Sequence, residues 1–125
     1  MAFFIAKGEG LLKFPKTLKI GGHQFELKFP CEFRERNDLQ GQFDSDQNVM
    51  RLSDRNGGGT KYCDSHIMVT FWHELLHACD ETSGHKFFRK EGGEDALDGI
   101  SEVLYQIFVD NPELLEVFKP ERTKR

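Results

Sequence analysis

The spacing of apolar residues changes once along this chain, from every second position in the first half to every third or fourth position in the second. Residues 17–20 and 23–29 alternate apolar with polar side chains, which is typical of strands that bury one face. Gly21 and Gly22 between them suit a two-residue hairpin, because both turn positions require positive φ angles. This hairpin would place five apolar side chains on one face: Leu18, Ile20, Phe25, Leu27 and Phe29. The first half of the chain is therefore expected to form a sheet over an apolar core.

Two further segments have weaker strand patterns. Residues 39–43 and 48–53 contain alternating apolar positions, and the polar residues 44–47 between them have the composition of a turn. The segment 48–53 has two interpretations. It is either an ordinary member of the sheet or an edge strand that pairs with an extended peptide through its main chain.

The second half begins with helical spacing. A helix capped by Asp64 or Ser65 is expected to run to about Asp80, before a serine and a glycine at positions 83–84. Its buried stripe would consist of Ile67, Phe71, Leu75 and one side each of Trp72 and Leu76.

A second helix is expected from Glu94 to about Asp110. Its apolar stripe would consist of Leu97, Ile100, Val103, Leu104, Ile107 and Phe108. Asn111 and Pro112 have the chemistry of the cap and first residue of a short last helix over residues 112–118. Strands followed by helices predict an α+β fold, with a small antiparallel sheet followed by helices.

Size and composition favour one folded domain. A length of 125 residues is enough for one domain and hardly enough for two. The 12 phenylalanines and a hydrophobic share of 38% support a real core rather than a disordered chain. We expect a single domain over residues 1–125, with 1–16 and 119–125 loosely ordered.

Charge and cysteine content argue against several protein classes. A net charge of −4 gives no general attraction to nucleic-acid phosphates or anionic lipid. No apolar run approaches the roughly 20 residues of a membrane span, and the N-terminus lacks the features of a signal peptide. Cys31, Cys63 and Cys79 form no Cys-x-x-Cys pair, which favours reduced thiols. We therefore expect a cytoplasmic protein with no membrane partner and no nucleic-acid partner.

The chemistry-bearing segment is His73-Glu74-Leu-Leu-His77, inside the first predicted helix. Two histidines four positions apart share a helix face, so their rings can converge on one zinc ion at about 2.0–2.1 Å. Glu74 lies about 100° further round the helix and would point beside the metal. There it can act as general base on a zinc-bound water whose pKa the metal lowers.

A catalytic zinc site needs a third protein ligand. Glu94 is favoured, because residues 78–93 are long enough to reverse the chain and pack the second helix on the first. Four alternatives stay open at this point: His85, Glu102, Asp80 and Glu91.

With these motifs, the chain resembles minimal gluzincin metallopeptidase domains, among them the minigluzincins and the ImmA/IrrE and SprT-like group. It also resembles small zincin-like proteins encoded by phages and prophages, which have a similar His-Glu-x-x-His-Ala segment and a helix that ends like residues 104–112. The resemblance covers residues 17–115. It implies a small antiparallel sheet, an active-site helix, a glutamate-bearing helix and, for a phage protein, the host cytoplasm.

Residue by residue, the resemblance makes His73, His77 and Glu94 the zinc ligands and Glu74 the base. Asp98 would accept the free ring N–H of a ligand histidine. The histidine or tyrosine with which larger gluzincins stabilise the oxyanion has no assigned counterpart, since nothing in the sequence selects Tyr62 or Tyr105.

These features lead to two functional hypotheses. The first is a zinc-dependent metallopeptidase-like hydrolase that acts on a peptide or protein substrate. The alternative is a non-catalytic zincin-like metal-binding module that acts as a phage or host protein-interaction factor.

Overall fold

The structure, a computed structural model, describes residues 12–33 and 39–119. The predictions of loose order at the ends fall largely outside these residues. The strands are β1 (Thr17–Ile20), β2 (His23–Lys28), β3 (Gly41–Asp44) and β4 (Val49–Leu52), and the helices are α1 (Asp64–Ser83), α2 (Gly93–Asp110) and α3 (Leu114–Val117). A 3-10 turn, Phe87–Arg89, lies between α1 and α2. The chain is thus α+β, as predicted.

The four strands form one sheet in the order β1-β2-β4-β3. The predicted hairpin joins β1 to β2, with φ of 57° at Gly21 and 88° at Gly22. The prediction of an antiparallel sheet is wrong at the centre, where β2 and β4 run parallel. The β3–β4 hairpin is antiparallel, and β4 rather than β3 lies next to β2. β4 therefore runs in the same direction as β2. The sheet is therefore mixed.

Of the two interpretations of residues 48–53, that of an ordinary sheet member is confirmed and that of an edge strand is wrong. β4 lies between β2 and β3, and its Met50 and Leu52 are fully buried. Each fully buried side chain of this kind contributes about 1.5–3 kcal/mol relative to an exposed one. Among the described strands, β3 is the edge strand on this side of the sheet.

One face of the sheet packs on α1. Leu27, Met50, Leu52 and Ala78 form the buried centre of the core. Partly buried hydrophobic residues surround it: Phe14, Leu18, Ile20, Phe29, Phe43, Phe71 and Leu75. The apolar face predicted for the hairpin and the stripe predicted for α1 therefore meet in the core.

Helix α1 begins and ends slightly outside its predicted limits. Its N-cap residue is Cys63, without a side-chain capping bond, rather than Asp64 or Ser65. It continues to Ser83 and ends at Gly84, which has the left-handed φ of 84° that glycine adopts freely. No helix among the described residues has the length and apolarity needed to cross a membrane.

Helix α2 packs on α1 through only part of its predicted stripe. Leu97 is fully buried, and Phe108 stacks on Trp72 with ring centroids 5.4 Å apart. Ile100, Val103 and Ile107 are exposed to 43%, 55% and 38%, so their predicted burial is wrong. Their side of the helix is turned away from α1, and no described element covers it.

The last helix is shorter than predicted. It spans Leu114–Val117 with Glu113 as its N-cap residue. Asn111 closes α2 instead of opening α3, because its side-chain amide donates to the carbonyl of Ile107 at 2.9 Å.

Candidate metal centre

Two imidazole rings lie side by side on one face of α1. His73 and His77 are one helical turn apart, and their ring centroids are separated by 5.0 Å. Their side chains are 19% and 25% exposed, so both rings are held by packing but reachable from solvent. The i, i+4 spacing of the sequence therefore gives the convergent pair that it predicted.

Glu94 approaches this pair from the first turn of α2. One carboxylate oxygen lies 3.2 Å from Nε2 of His73, and the other lies 3.0 Å from Nε2 of His77. Ligand atoms around a tetrahedral zinc with bonds of about 2.0–2.1 Å are about 3.3 Å apart. The three side chains offer ligand atoms within 4.8 Å of one another, so this group can hold a metal ion.

Asp98 contacts the ring nitrogen of His73 that does not face Glu94. Its Oδ1 is 2.9 Å from Nδ1 of His73, which places the ring proton of a neutral imidazole on Nδ1. The lone pair of Nε2 then faces a carboxylate oxygen of Glu94. Two facing acceptors repel each other unless the ring is protonated or a cation lies between them. The donor set thus fits a cation.

The electrostatics of His77 also suit a metal ligand. Burial lowers the pKa of His77, and the negative charge of Glu94 opposes this effect. A lower pKa favours the neutral ring, which is the form that binds metal.

Glu74 is buried beside this group without belonging to it. It is 7% exposed, and burial, together with the charge of Glu94, raises its pKa to about 8. The sequence predicted a carboxylate beside the metal but gave no sign of this burial. A carboxylate in this surrounding holds a proton more firmly than an exposed one does.

Gly41 on the edge strand β3 explains how Glu74 becomes buried. A Cβ atom at Gly41 would lie 2.8 Å from Cγ2 of Thr70, 3.0 Å from Cγ of Glu74 and 3.1 Å from Oε2 of Glu74. Only a glycine lets the strand approach α1 this closely. Gly41 was missed in the sequence, although a lone glycine inside a strand is a known signal of close backbone approach.

We expect Gly41→Ala to lower the free energy of unfolding by about 1–3 kcal/mol, because the added methyl group overpacks the contact between β3 and α1. Urea unfolding measures this change. Gly99→Ala is the matched control, since a Cβ atom at Gly99 meets no atom within 4 Å. The control is expected to be neutral or stabilising, and a Gly41→Ala protein as stable as the wild type would contradict the close approach.

Two clefts meet at Gly41, His73 and Glu74. The first, of about 840 Å³, continues between α1 and α2 past His66, Thr70, Asp98, Glu102 and Tyr105. The second, of about 810 Å³, continues past His77, Glu81, Arg89, Lys90 and Asp95. The two clefts therefore lie on either side of His73 and Glu74.

The alternative third ligands lie elsewhere. The His85 ring stacks on Phe87 with centroids 5.7 Å apart, and Glu102 lies exposed in the first cleft. Asp80 is buried, and both of its carboxylate oxygens accept backbone N–H groups. Glu91 is exposed, before α2 begins. None of the four belongs to the group of His73, His77 and Glu94.

The two tyrosines have different surroundings. The Tyr62 ring stacks on His66 with centroids 4.3 Å apart. Tyr105 lines the first cleft, where burial raises its pKa. His66, which the sequence did not single out, lines the same cleft and bonds to Oε1 of Gln40 at 2.7 Å.

In comparisons with known proteins, no protein-family model, no curated protein and no solved structure matches this chain.

Proposed function

We propose that this chain is a zinc-dependent hydrolase of peptide or amide bonds. The observation that carries the proposal is the convergence of His73, His77 and Glu94, with the buried Glu74 beside them. Two neutral imidazoles and one carboxylate are a ligand set of catalytic zinc, which leaves one position open for the reaction.

The proposed reaction assigns a separate chemical role to each group of the site. A bound zinc ion would supply the Lewis acidity that polarises a carbonyl group and acidifies a water molecule. In its ionised form, Glu74 accepts the proton of the attacking water on a carboxylate oxygen and passes it to the departing amine. Asp98 fixes the tautomer and orientation of His73 by accepting its Nδ1 proton.

The open edge of β3 supports a peptide as the substrate. The backbone N–H of Ser53 donates to the carbonyl of Gln40, which makes these residues a hydrogen-bonded pair of the antiparallel ladder. Because such pairs alternate, the main-chain groups of Gly41 and Phe43 point away from β4. They can pair with an extended peptide whatever its sequence. Gly41 also contacts Glu74, so a bound peptide would run past the base.

The test is cleavage of a mixture of synthetic peptides, followed by mass spectrometry. Protein stripped of metal with a chelator is expected to cleave nothing, and added zinc is expected to restore cleavage. Peptide cleavage by the stripped protein, or none after it has bound zinc, would contradict the proposal.

Replacement of Asp98 by alanine is expected to weaken zinc binding by about 10–100-fold, because His73 loses the partner that orients its ring. Competition with a coloured chelator measures the affinity. Asp95→Ala is the matched control, since Asp95 is an exposed carboxylate in the first turn of the same helix. If both variants bind zinc equally well, Asp98 has no role in orienting His73.

A further inference from the structure

Asp80 is a buried carboxylate that the proposed mechanism does not use. It lies on α1, three residues after His77, and is 8% exposed. Its Oδ1 accepts the backbone N–H of Phe87 at 2.8 Å, and its Oδ2 accepts that of Phe88 at 2.9 Å. Both oxygens are thus committed to the 3-10 turn between α1 and α2. Hydrogen bonds to a charged acceptor are stronger than neutral ones, so this attachment is firm.

The first residue of α2 packs against the 3-10 turn. Gly93, the first residue of α2, is buried against Phe88. A Cβ atom at Gly93 would lie 2.5 Å from the carbonyl oxygen of Phe88 and 2.7 Å from its carbonyl carbon. The N–H of Gly93 also donates to the carbonyl of Lys90 at 2.8 Å. A shift of the turn would therefore also shift the start of α2.

Glu94 is the next residue after Gly93, so its distance from the histidines depends on this contact. An ion pair between Arg89 and Glu81 ties the turn to α1 a second time, but the Arg89 side chain is 59% exposed. Exposed ion pairs contribute little. The buried bonds of Asp80 are therefore the main attachment between the turn and the helix that carries His73 and His77.

We propose that Asp80 is a positioning residue for the metal centre: it holds Phe87 and Phe88 on α1 and thereby sets Glu94 opposite the two histidines. The proposal rests on the proposed function, because metal binding is one of its readouts. A merely structural Asp80 would affect the stability of the whole domain and would leave the ligand geometry unchanged.

The test is Asp80→Asn. Asparagine has the same shape, but it has one acceptor oxygen, and its NH2 group would face the second backbone N–H. We expect zinc affinity to fall by about tenfold or more, as for other residues that orient metal ligands. With Co²⁺ as the probe, the visible absorption should weaken as well, because loss of Glu94 as a ligand moves the ion away from four-coordinate geometry.

Amide hydrogen exchange of the metal-free protein gives a readout that needs no metal. In Asp80→Asn, exchange should become faster at Phe87 and Phe88 and also at Gly93 and Ala96, whose N–H groups bond at the start of α2. If the wild type binds no zinc, the proposed function fails, while exchange at Gly93 and Ala96 still decides whether Asp80 positions α2.

Two further variants separate positioning from stability. Ser53→Ala removes a hydrogen bond to the carbonyl of Arg55. Ser53 is buried and lies outside the segment between α1 and α2. It should lower stability and leave zinc affinity unchanged. Gly93→Ala keeps Asp80 but forces α2 away from Phe88, so it should weaken zinc binding. Wild-type exchange at Gly93 and Ala96 in Asp80→Asn, or equal loss of zinc affinity in Ser53→Ala, would overturn the proposal.

Discussion

Glu74→Gln is expected to lower the rate of peptide hydrolysis by about 10²–10⁴-fold, the usual contribution of a positioned general base. Glutamine fills nearly the same volume against Gly41 and Thr70, so the packing of β3 on α1 should persist. Its amide cannot accept the proton of an attacking water molecule. Metal content should remain that of the wild type, because Glu74 is not part of the ligand group.

The matched control for Glu74→Gln is Glu26→Gln. Glu26 is exposed on β2 and lines neither cleft, so its replacement removes one negative charge outside the site. Initial rates of cleavage and the zinc content of each protein are the two measurements. Wild-type activity in Glu74→Gln would exclude Glu74 as the base. A wild type that binds zinc but cleaves no peptide would favour the non-catalytic metal-binding module.

Glu94→Ala is expected to abolish tight zinc binding. The two histidines that remain lie on a single helix and cannot surround an ion, and a catalytic site requires a third protein ligand. At a free zinc concentration of one hundred times Kd, binding raises the free energy of unfolding by about 2.7 kcal/mol. This gain should be present in the wild type and absent in Glu94→Ala.

Two other variants make the Glu94 prediction specific. His85→Ala and Glu102→Ala remove the other candidates for third ligand, and both should keep the zinc-dependent gain in unfolding free energy. The measurement is thermal unfolding with and without zinc, together with the zinc content of each protein. Loss of zinc in Glu102→Ala with retention in Glu94→Ala would move the third ligand about two turns along α2.

Much of the site was accessible from the sequence because it depends on local spacing. His73 and His77 share a face on any α-helix, and so do Glu94 and Asp98. The relative position of the two residues within each pair could therefore be predicted from the sequence. The approach of the two pairs required only that α2 reverse direction and pack on α1, which the length of residues 78–93 allows.

Features that depend on three-dimensional contacts could not be read in this way. The alternation of a strand indicates which face is buried but not the direction of its neighbour, so the parallel β2–β4 pair was missed. The apolar residues of α2 cover a wider part of its circumference than the face that contacts α1, so Val103 was predicted to be a core residue although it is 55% exposed. Asp80 was a candidate ligand because it shares the helix face of His73 and His77, and its bonds to Phe87 and Phe88 have no local sequence signature.

X-ray absorption spectroscopy at the zinc edge of the purified wild-type protein tests the metal centre most directly. The expected spectrum shows one zinc site with two imidazole ligands and a carboxylate oxygen, at bond lengths of about 2.0–2.2 Å. A protein without bound zinc, or a zinc ion with no imidazole neighbours, would contradict a metal site at His73, His77 and Glu94.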